Sequence, residues 1–197
     1  MNAKRQQEFL ELLEPVYQRL WRFSLATTRD HVNAQDLLSE TLLEAYERFD
    51  SLRDPKAFTS FLFTIATRIE RHKARRARWF GNYDEAAASR MQSVTPSPEL
   101  AAEIAVLLSA LAKLGTKQRE TITLFEISGF SLEEIREIQG GTLSGVKSRL
   151  RRAREALSRE LGIEPDHSAA AEHPTSLDNL REESASVNRL LSFAIRE

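Results

Sequence analysis

The stretch SLEEIREIQGGTLSGVKSRLRRAREAL, residues 131–157, contains two helical patterns separated by a pair of glycines. Ser131 and Glu134 have the spacing of a capping box, so a helix of about two turns is expected to begin there and to end near Gln139. The glycines at 140–141 tolerate the positive backbone angles of a tight turn. A short helix, a turn and a second helix form a helix-turn-helix, which places its second helix in the DNA major groove.

The second helix, which Thr142 or Ser144 can cap, carries a narrow apolar stripe beside a dense row of cations. The stripe consists of Val146, Leu150, Ala153 and Leu157. The cations are Lys147, Arg149, Arg151, Arg152 and Arg154. A solvated helix face normally includes glutamates for stabilising i,i+4 pairs, and no acid interrupts this row. The pattern therefore favours contact with DNA over a solvated face.

Composition indicates a soluble chain with a core and excludes several classes of protein. The 197 residues are 41% hydrophobic and 29% charged, and they allow one domain or two small ones. There is no cysteine, hence no disulfide and no thiolate metal site. No long apolar run and no signal-peptide pattern are present, so we expect a cytoplasmic protein without membrane insertion.

Charge is distributed unevenly although it nearly cancels, with 28 basic against 29 acidic residues. The segments 68–78 and 147–159 each carry a net charge of +5, whereas residues 162–197 carry −4. Blocks of like charge indicate interaction surfaces.

Helical periodicity dominates the first 80 residues. Residues 8–28 have an apolar helical face, and Pro15 is expected in the first turn of a second segment. Asn33 is expected to cap the next helix, and Asp54 and Pro55 should begin the third. The third helix is expected to bury Phe58, Phe61, Leu62, Ile65, Ala66 and Ile69.

The pattern as a whole predicts an all-α fold of two small helical domains joined by a flexible linker. The first domain covers residues 1–80, the linker 81–98 and the second domain 99–161. Residues 162–197 form a C-terminal extension whose apolar residues from Leu177 onward fit an amphipathic helix, with a disordered end as the alternative.

The segment 128–157 resembles the region-four helix-turn-helix of extracytoplasmic-function sigma factors, the promoter-specificity subunits of bacterial RNA polymerase. The family pattern Gly-Thr-Val-Lys-Ser-Arg-Leu-x-Arg-Ala-Arg is matched at Val146, Lys147, Ser148, Arg149, Leu150, Arg152, Ala153 and Arg154. Upstream, the family's Leu-Pro-x-x-x-Arg-x-x-x-x-Leu segment is matched at Leu114, Arg119 and Leu124, with Gly115 in place of the proline.

The N-terminal half is similar to region two of the same family. NAQDLLSETLLEAYERF, residues 33–49, matches the region-two pattern at Ala34, Asp36, Leu37, Glu40, Thr41, Ala45 and Tyr46. FTSFLFTIATRIERHKARR, residues 58–76, is similar to the family's next block, and it has Phe61, Arg68 and His72 where the family usually has Trp, Asn and Asp.

The resemblance implies three interaction surfaces. It assigns the binding of core RNA polymerase to Asp36, Leu37, Glu40 and Glu44. It assigns recognition of the melted −10 promoter element to Phe58, Phe61, Arg68, Arg71, His72, Arg75 and Arg76. It assigns recognition of the −35 element to Lys147, Ser148, Arg149, Arg151, Arg152 and Arg154. Lys147 and Arg149 suit phosphates, whereas Ser148, Arg151 and Arg152 suit base edges.

Two alternatives remain for these residues taken without the family. The acidic face formed by Asp36, Glu40 and Glu44 is also what a solvated helix would show, and Phe58 and Phe61 would equally suit a core.

The expected function is that of an alternative sigma factor that binds core polymerase and promoter DNA, with an anti-sigma protein as a further candidate partner. An ordinary helix-turn-helix regulator and a decoy that sequesters an anti-sigma protein are the alternatives. We expect no enzymatic activity, catalytic residue, metal or cofactor, because the four histidines are scattered and the sequence contains neither a glycine-rich phosphate loop nor a nucleophile–base set.

Overall fold

The computed structural model describes residues 3–28, 30–80 and 98–162, and all regular elements in these ranges are helical. In chain order they include α1 (Ala3–Thr28), α2 (His31–Glu47), α3 (Phe58–Phe80), α4 (Pro98–Ala112), α5 (Thr116–Ile122), α6 (Leu132–Gln139) and α7 (Leu143–Leu161). The predicted all-α class is confirmed. The predicted linker, apart from Pro98, and the extension beyond Gly162 lie outside the described residues.

Helix α1 runs without interruption through Pro15, so the predicted second segment is wrong. Proline lacks an amide, which leaves the carbonyl of Glu11 without its helical donor. Both Glu11 and Pro15 are exposed, so water can hydrate that carbonyl. Leu13 and Val16 are buried on the opposite face and hold both sides of the proline against the core.

Helix α2 begins one turn earlier than predicted, because Asp30 and not Asn33 is its N-cap. The Asp30 carboxylate accepts a hydrogen bond from the Asn33 amide nitrogen at 3.1 Å and another from the Asn33 side chain at 2.7 Å. The first bond satisfies a backbone amide at the helix end, and the second ties the Asn33 side chain to the cap.

The start predicted for the third helix is confirmed, with one 3₁₀ turn preceding α3. The Asp54 carboxylate accepts a hydrogen bond from the Lys56 amide at 2.9 Å, and Pro55 opens the turn. Of the residues expected to be buried in α3, Phe58, Leu62, Ile65 and Ala66 are buried, whereas Phe61 and Ile69 are only partly so.

Helices α1, α2 and α3 form the N-terminal unit (residues 3–80). Its core includes an aromatic cluster centred on Phe9, whose ring meets those of Phe49 and Phe58 edge-on at 5.3 and 5.4 Å. Edge-to-face geometry at these distances is favourable beyond the area it buries. The cluster therefore holds the three helices in a fixed orientation and sets the outward faces of α2 and α3.

Helices α4 to α7 form the C-terminal unit (residues 98–161). Leu114, Arg119 and Leu124, which carry the family-like segment, are all buried. The Arg119 guanidinium donates to the carbonyls of Leu111 and Ala112, both at 3.4 Å, at the C-terminal end of α4. A cation at this end also complements the helix dipole. Arg119 therefore joins α5 to α4.

The two units share one continuous hydrophobic core. Phe63 on α3 is fully buried although the sequence pattern did not assign it to the core, and its ring lies 4.7 Å from that of Phe130, which precedes α6. Helix α3 packs against α6, and α1 against the turn at Thr123–Ile127. The predicted domains are therefore in direct contact in this structure.

Candidate nucleic-acid and polymerase interfaces

The acidic face of α2 is paired with basic residues of α3 and with Arg48 at the end of α2. Glu40 pairs with Lys73 of α3 at 2.7 Å, and Glu44 pairs with Arg48 at 3.1 Å and also with Arg68. These pairs are partly exposed, so each contributes little to stability, but together they position the two carboxylates.

Asp36 differs from the other two carboxylates of this face. It is exposed and forms no ion pair within the ranges that the structure describes, so its charge is available to a partner. Leu37, which the resemblance also assigns to polymerase binding, is fully buried in the core beneath this face.

The basic surface of α3 divides into exposed and engaged residues. His72, Arg75 and Arg76 are exposed; Arg68 is also exposed but is paired with Glu44, and Arg71 is turned toward the C-terminal unit. Exposed arginines along one helix can follow a nucleic-acid backbone.

Of the two aromatic candidates on α3, only one is accessible in this conformation. Phe58 is 2% exposed and belongs to the core, whereas Phe61 is partly exposed at the surface. A base can stack only on a ring that it reaches, so Phe61 is the available aromatic.

The helix-turn-helix has the local geometry that its sequence predicts. The Ser131 hydroxyl accepts from the Glu134 amide at 3.2 Å while the Glu134 carboxylate accepts from the Ser131 amide at 2.8 Å, which completes the capping box. Gly140 and Gly141 have φ angles of 74° and 99°. Thr142, one of the two predicted caps, accepts from the Gly145 amide at 3.1 Å.

Helix α7 buries the predicted apolar stripe and presents part of its cationic row to solvent. Lys147, Arg151 and Arg152 are exposed, and Ser148 is half-buried beside them. Arg151 also pairs with Glu155 one turn away at 2.5 Å. Three exposed cations on a helix with a buried opposite face form a surface suited to DNA.

The other two arginines of this row are partly buried. Arg154 donates to the Glu126 carboxylate at 3.0 and 2.6 Å and lies 5.3 Å from the centre of the Phe125 ring. Arg149 is half-buried, and its Nε and Nη2 atoms are buried without a hydrogen-bond acceptor in the described part of the chain. Burial lowers the pKa of Arg149, and the charge of Arg71 lowers it further.

Glu120 of α5, a charged residue with several hydrogen bonds in this region, was not among the residues selected from the sequence. Its carboxylate is fully buried and accepts from Arg71 and from Gln139, the latter at 3.2 Å. The available signal was its position one turn before the buried Leu124, on the apolar face of α5. Glu126, which accepts hydrogen bonds from Arg154, was also not among the residues selected from the sequence.

Two negative findings apply to residues 3–28, 30–80 and 98–162. They contain no helix long and apolar enough to cross a membrane. They also contain no group of three or more histidine, aspartate or glutamate side chains placed to hold a metal ion.

Comparisons with known proteins agree on one family. The family description "Sigma-70 region 2" matches residues 12–80, and "Sigma-70, region 4" matches residues 104–157. ECF RNA polymerase sigma factor EcfG of Rhodopseudomonas palustris is 33% identical over 144 residues, which cover 72% of this chain and 78% of that protein. ECF RNA polymerase sigma factor SigL of Mycobacterium tuberculosis is 32% identical over 151 residues, covering 73% and 85%.

Solved structures show the same likeness. The sigma factor RpoE of Bartonella quintana, in complex with the anti-sigma factor NepR, has a TM-score of 0.59 and 28% identity, covering 81% of this chain and 97% of that one. CnrH, in complex with the cytosolic domain of CnrY, has a TM-score of 0.62 and 26% identity, covering 81% and 90%. With both sigma regions present in order and a relative above 30% identity over most of its length, the chain belongs to the ECF RNA polymerase sigma factors, which bind core polymerase and direct promoter recognition.

Proposed function

We propose that three helices of this sigma factor each form one of its binding surfaces. The acidic face of α2 binds core polymerase, α3 contacts the melted −10 element, and α7 reads the −35 element. The observation that carries the proposal is the exposed Asp36, which stands at a position matching the family pattern on a face whose other carboxylates are already paired.

The chain acts as a binding subunit that lends specificity to the polymerase, without catalysis of its own. We place it in the cytoplasm, where polymerase and promoters are found. Because the similar sigma factor RpoE was solved with an anti-sigma factor, we also propose an anti-sigma protein as a partner. The N-terminal unit corresponds to residues 1–80 and the DNA-reading unit to 99–161.

Reversal of charge at Asp36 tests the polymerase surface. Asp36→Arg should abolish capture of core polymerase and promoter-directed transcription in a reconstituted system, because a cation would replace the free carboxylate. The matched control is Glu8→Arg, the same kind of reversal at an exposed carboxylate on α1. Both variants should unfold at the wild-type temperature, since both positions are exposed.

Capture of core polymerase by Asp36→Arg at the wild-type level would remove α2 as the binding surface. Failure of the wild-type protein to start transcription with core polymerase on any promoter would favour the decoy function instead.

A further inference from the structure

An open groove on the outer face of α1 belongs to none of the polymerase or DNA surfaces described above. It extends along the helix from Gln7 to Gln18 and has a volume of about 510 Å³. Leu10 and Tyr17, two turns apart, line it and are 49% and 40% exposed. Large apolar side chains at helical spacing form a strip that the apolar face of another helix can cover.

The groove is also acidic. Glu11 and Glu14 line it, and its described lining includes no lysine or arginine. The main-chain carbonyl of Glu11 is a further acceptor, because Pro15 has no amide to donate to it. The groove thus combines an apolar strip with negative charge, and an amphipathic helix that carries positive charge matches both properties.

One segment of the same chain has the complementary pattern. Residues 187–196, VNRLLSFAIR, include two arginines and no acid, so they carry +2 within an extension whose net charge is −4. On a helix, six apolar side chains of this segment share one side: Val187, Leu190, Leu191, Phe193, Ala194 and Ile195. Arg189 and Arg196 lie within about 60° of Phe193, at one edge of that side. The other long stretch outside the described residues, 81–97, has no periodic apolar face.

The connection is long enough for this segment to reach the groove. The described residues end at Gly162, and Val187 follows 25 residues later. An extended chain spans about 3.3 Å per residue, or roughly 80 Å over this connection, whereas a compact body of about 140 residues has a diameter near 40 Å. Tethering also gives the segment a local concentration on the order of millimolar, which favours it over a second copy of the protein in dilute solution.

We propose that residues 187–196 dock as an amphipathic helix in the α1 groove, with Arg189 and Arg196 facing Glu11 and Glu14. Docking covers the exposed strip of α1. It also supplies the apolar surface that this segment needs, because an isolated helix of this length is marginal in water. The inference does not depend on the proposed function, since α1 carries none of the three proposed binding surfaces.

Paramagnetic broadening of amide signals tests the docking in the full chain. The protein has no cysteine, so a nitroxide attached at Ser192→Cys is specific and lies within the segment. It should broaden the backbone amides of residues 7–18 more strongly than those of exposed positions on α2, such as Gln35 and Ser39. The same protein with the nitroxide reduced is the reference.

Exchange of charges distinguishes docking in this groove from unspecific contact. Glu11→Lys with Glu14→Lys should reduce the broadening on α1 by about threefold or more, because two attractive pairs become repulsive. Adding Arg189→Glu and Arg196→Glu should restore the broadening, since the attraction is formed again with the signs exchanged.

The matched control for the charge reversal lies on α6. Glu133→Lys with Glu137→Lys changes the net charge by the same amount at two exposed carboxylates and should leave the broadening on α1 unchanged. An equal loss in this control would show that net charge alone acts, and it would overturn docking in the groove.

Three further outcomes would overturn the proposal. The first is equal broadening on α1 and α2 in the parent protein. The second is a loss of broadening on reversal of Glu11 and Glu14 that the two arginine reversals do not restore. The third is broadening of isotope-labelled protein by nitroxide carried on a separate, unlabelled molecule, which would assign the groove to a second copy. None of these measurements involves polymerase or promoter DNA, so their failure is distinguishable from failure of the proposed function.

Discussion

Arg154 provides a direct way to separate a structural arginine from a DNA-contacting one. The sequence places it in the cationic row of α7, but its guanidinium is paired with Glu126, and the two side chains are 12% and 1% exposed. We expect Arg154→Ala to destabilise the protein, and to weaken promoter binding only through that loss.

The magnitude follows from the burial of the pair. Removal of one partner of a buried ion pair costs about 3–5 kcal/mol, because the remaining buried charge loses its hydrogen-bonded counter-ion. Loss of the cation–π contact with Phe125 adds about 0.5–1 kcal/mol. For a chain of this size each kcal/mol lowers Tm by roughly 2–4 °C, so a decrease of at least about 6 °C is expected.

Thermal unfolding followed by circular dichroism measures the decrease in Tm of Arg154→Ala, with Arg152→Ala as the control. Arg152 is exposed on the same helix, so its loss should change the free energy of unfolding by about 0.5 kcal/mol or less. The double variant Arg154→Met with Glu126→Leu removes both charges and should recover most of the stability.

Promoter binding by the double variant then decides the role of Arg154. Recovery of binding together with stability supports a structural role. A wild-type Tm for Arg154→Ala, or a stable double variant that still fails to bind promoter, would refute the reasoning and leave Arg154 as a direct DNA contact.

Two further predictions concern α7 and the buried carboxylate. Lys147→Ala should weaken promoter binding about equally on all −35 sequences, whereas Arg152→Ala should weaken it in a sequence-dependent way, by roughly 1–3 kcal/mol at one base pair; identical profiles across a set of promoter variants would contradict this division. Because burial raises the pKa of Glu120, its contribution to stability is full below the ordinary glutamate pKa and is lost as pH rises through the raised value. Denaturant unfolding at several pH values should therefore show wild type losing stability relative to Glu120→Gln from about pH 4 upward, and a relative gain would mean that the pair with Arg71 outweighs burial.

The sequence by itself determined the features that depend on neighbours along the chain. The capping box at Ser131 and Glu134, the Gly140–Gly141 turn and the buried stripe of α7 follow from local hydrogen bonding and the helical period, and the structure shows each of them. The two sigma regions were recognisable for the same reason, since their patterns are contiguous.

Predictions from helix-breaking and helix-capping preferences were wrong where core packing or another capping residue decided the helix bounds. Pro15 did not divide α1, because the apolar residues on both sides of it are held in one core. Asn33 did not cap α2, because its backbone amide and its side chain both donate to the carboxylate of Asp30, which caps the helix one turn earlier.

Only the tertiary structure decided which charged residues face solvent. Arg149, Arg151, Arg152 and Arg154 look alike in the sequence, yet two are exposed and two are turned inward, toward the Arg71–Glu120 pair or toward Glu126. The partners of these arginines lie far away along the chain, and no periodicity within one helix reports a carboxylate supplied by another. Contact between the two units also depends on residues far apart along the chain, because Phe63 is buried against Phe130, 67 positions away.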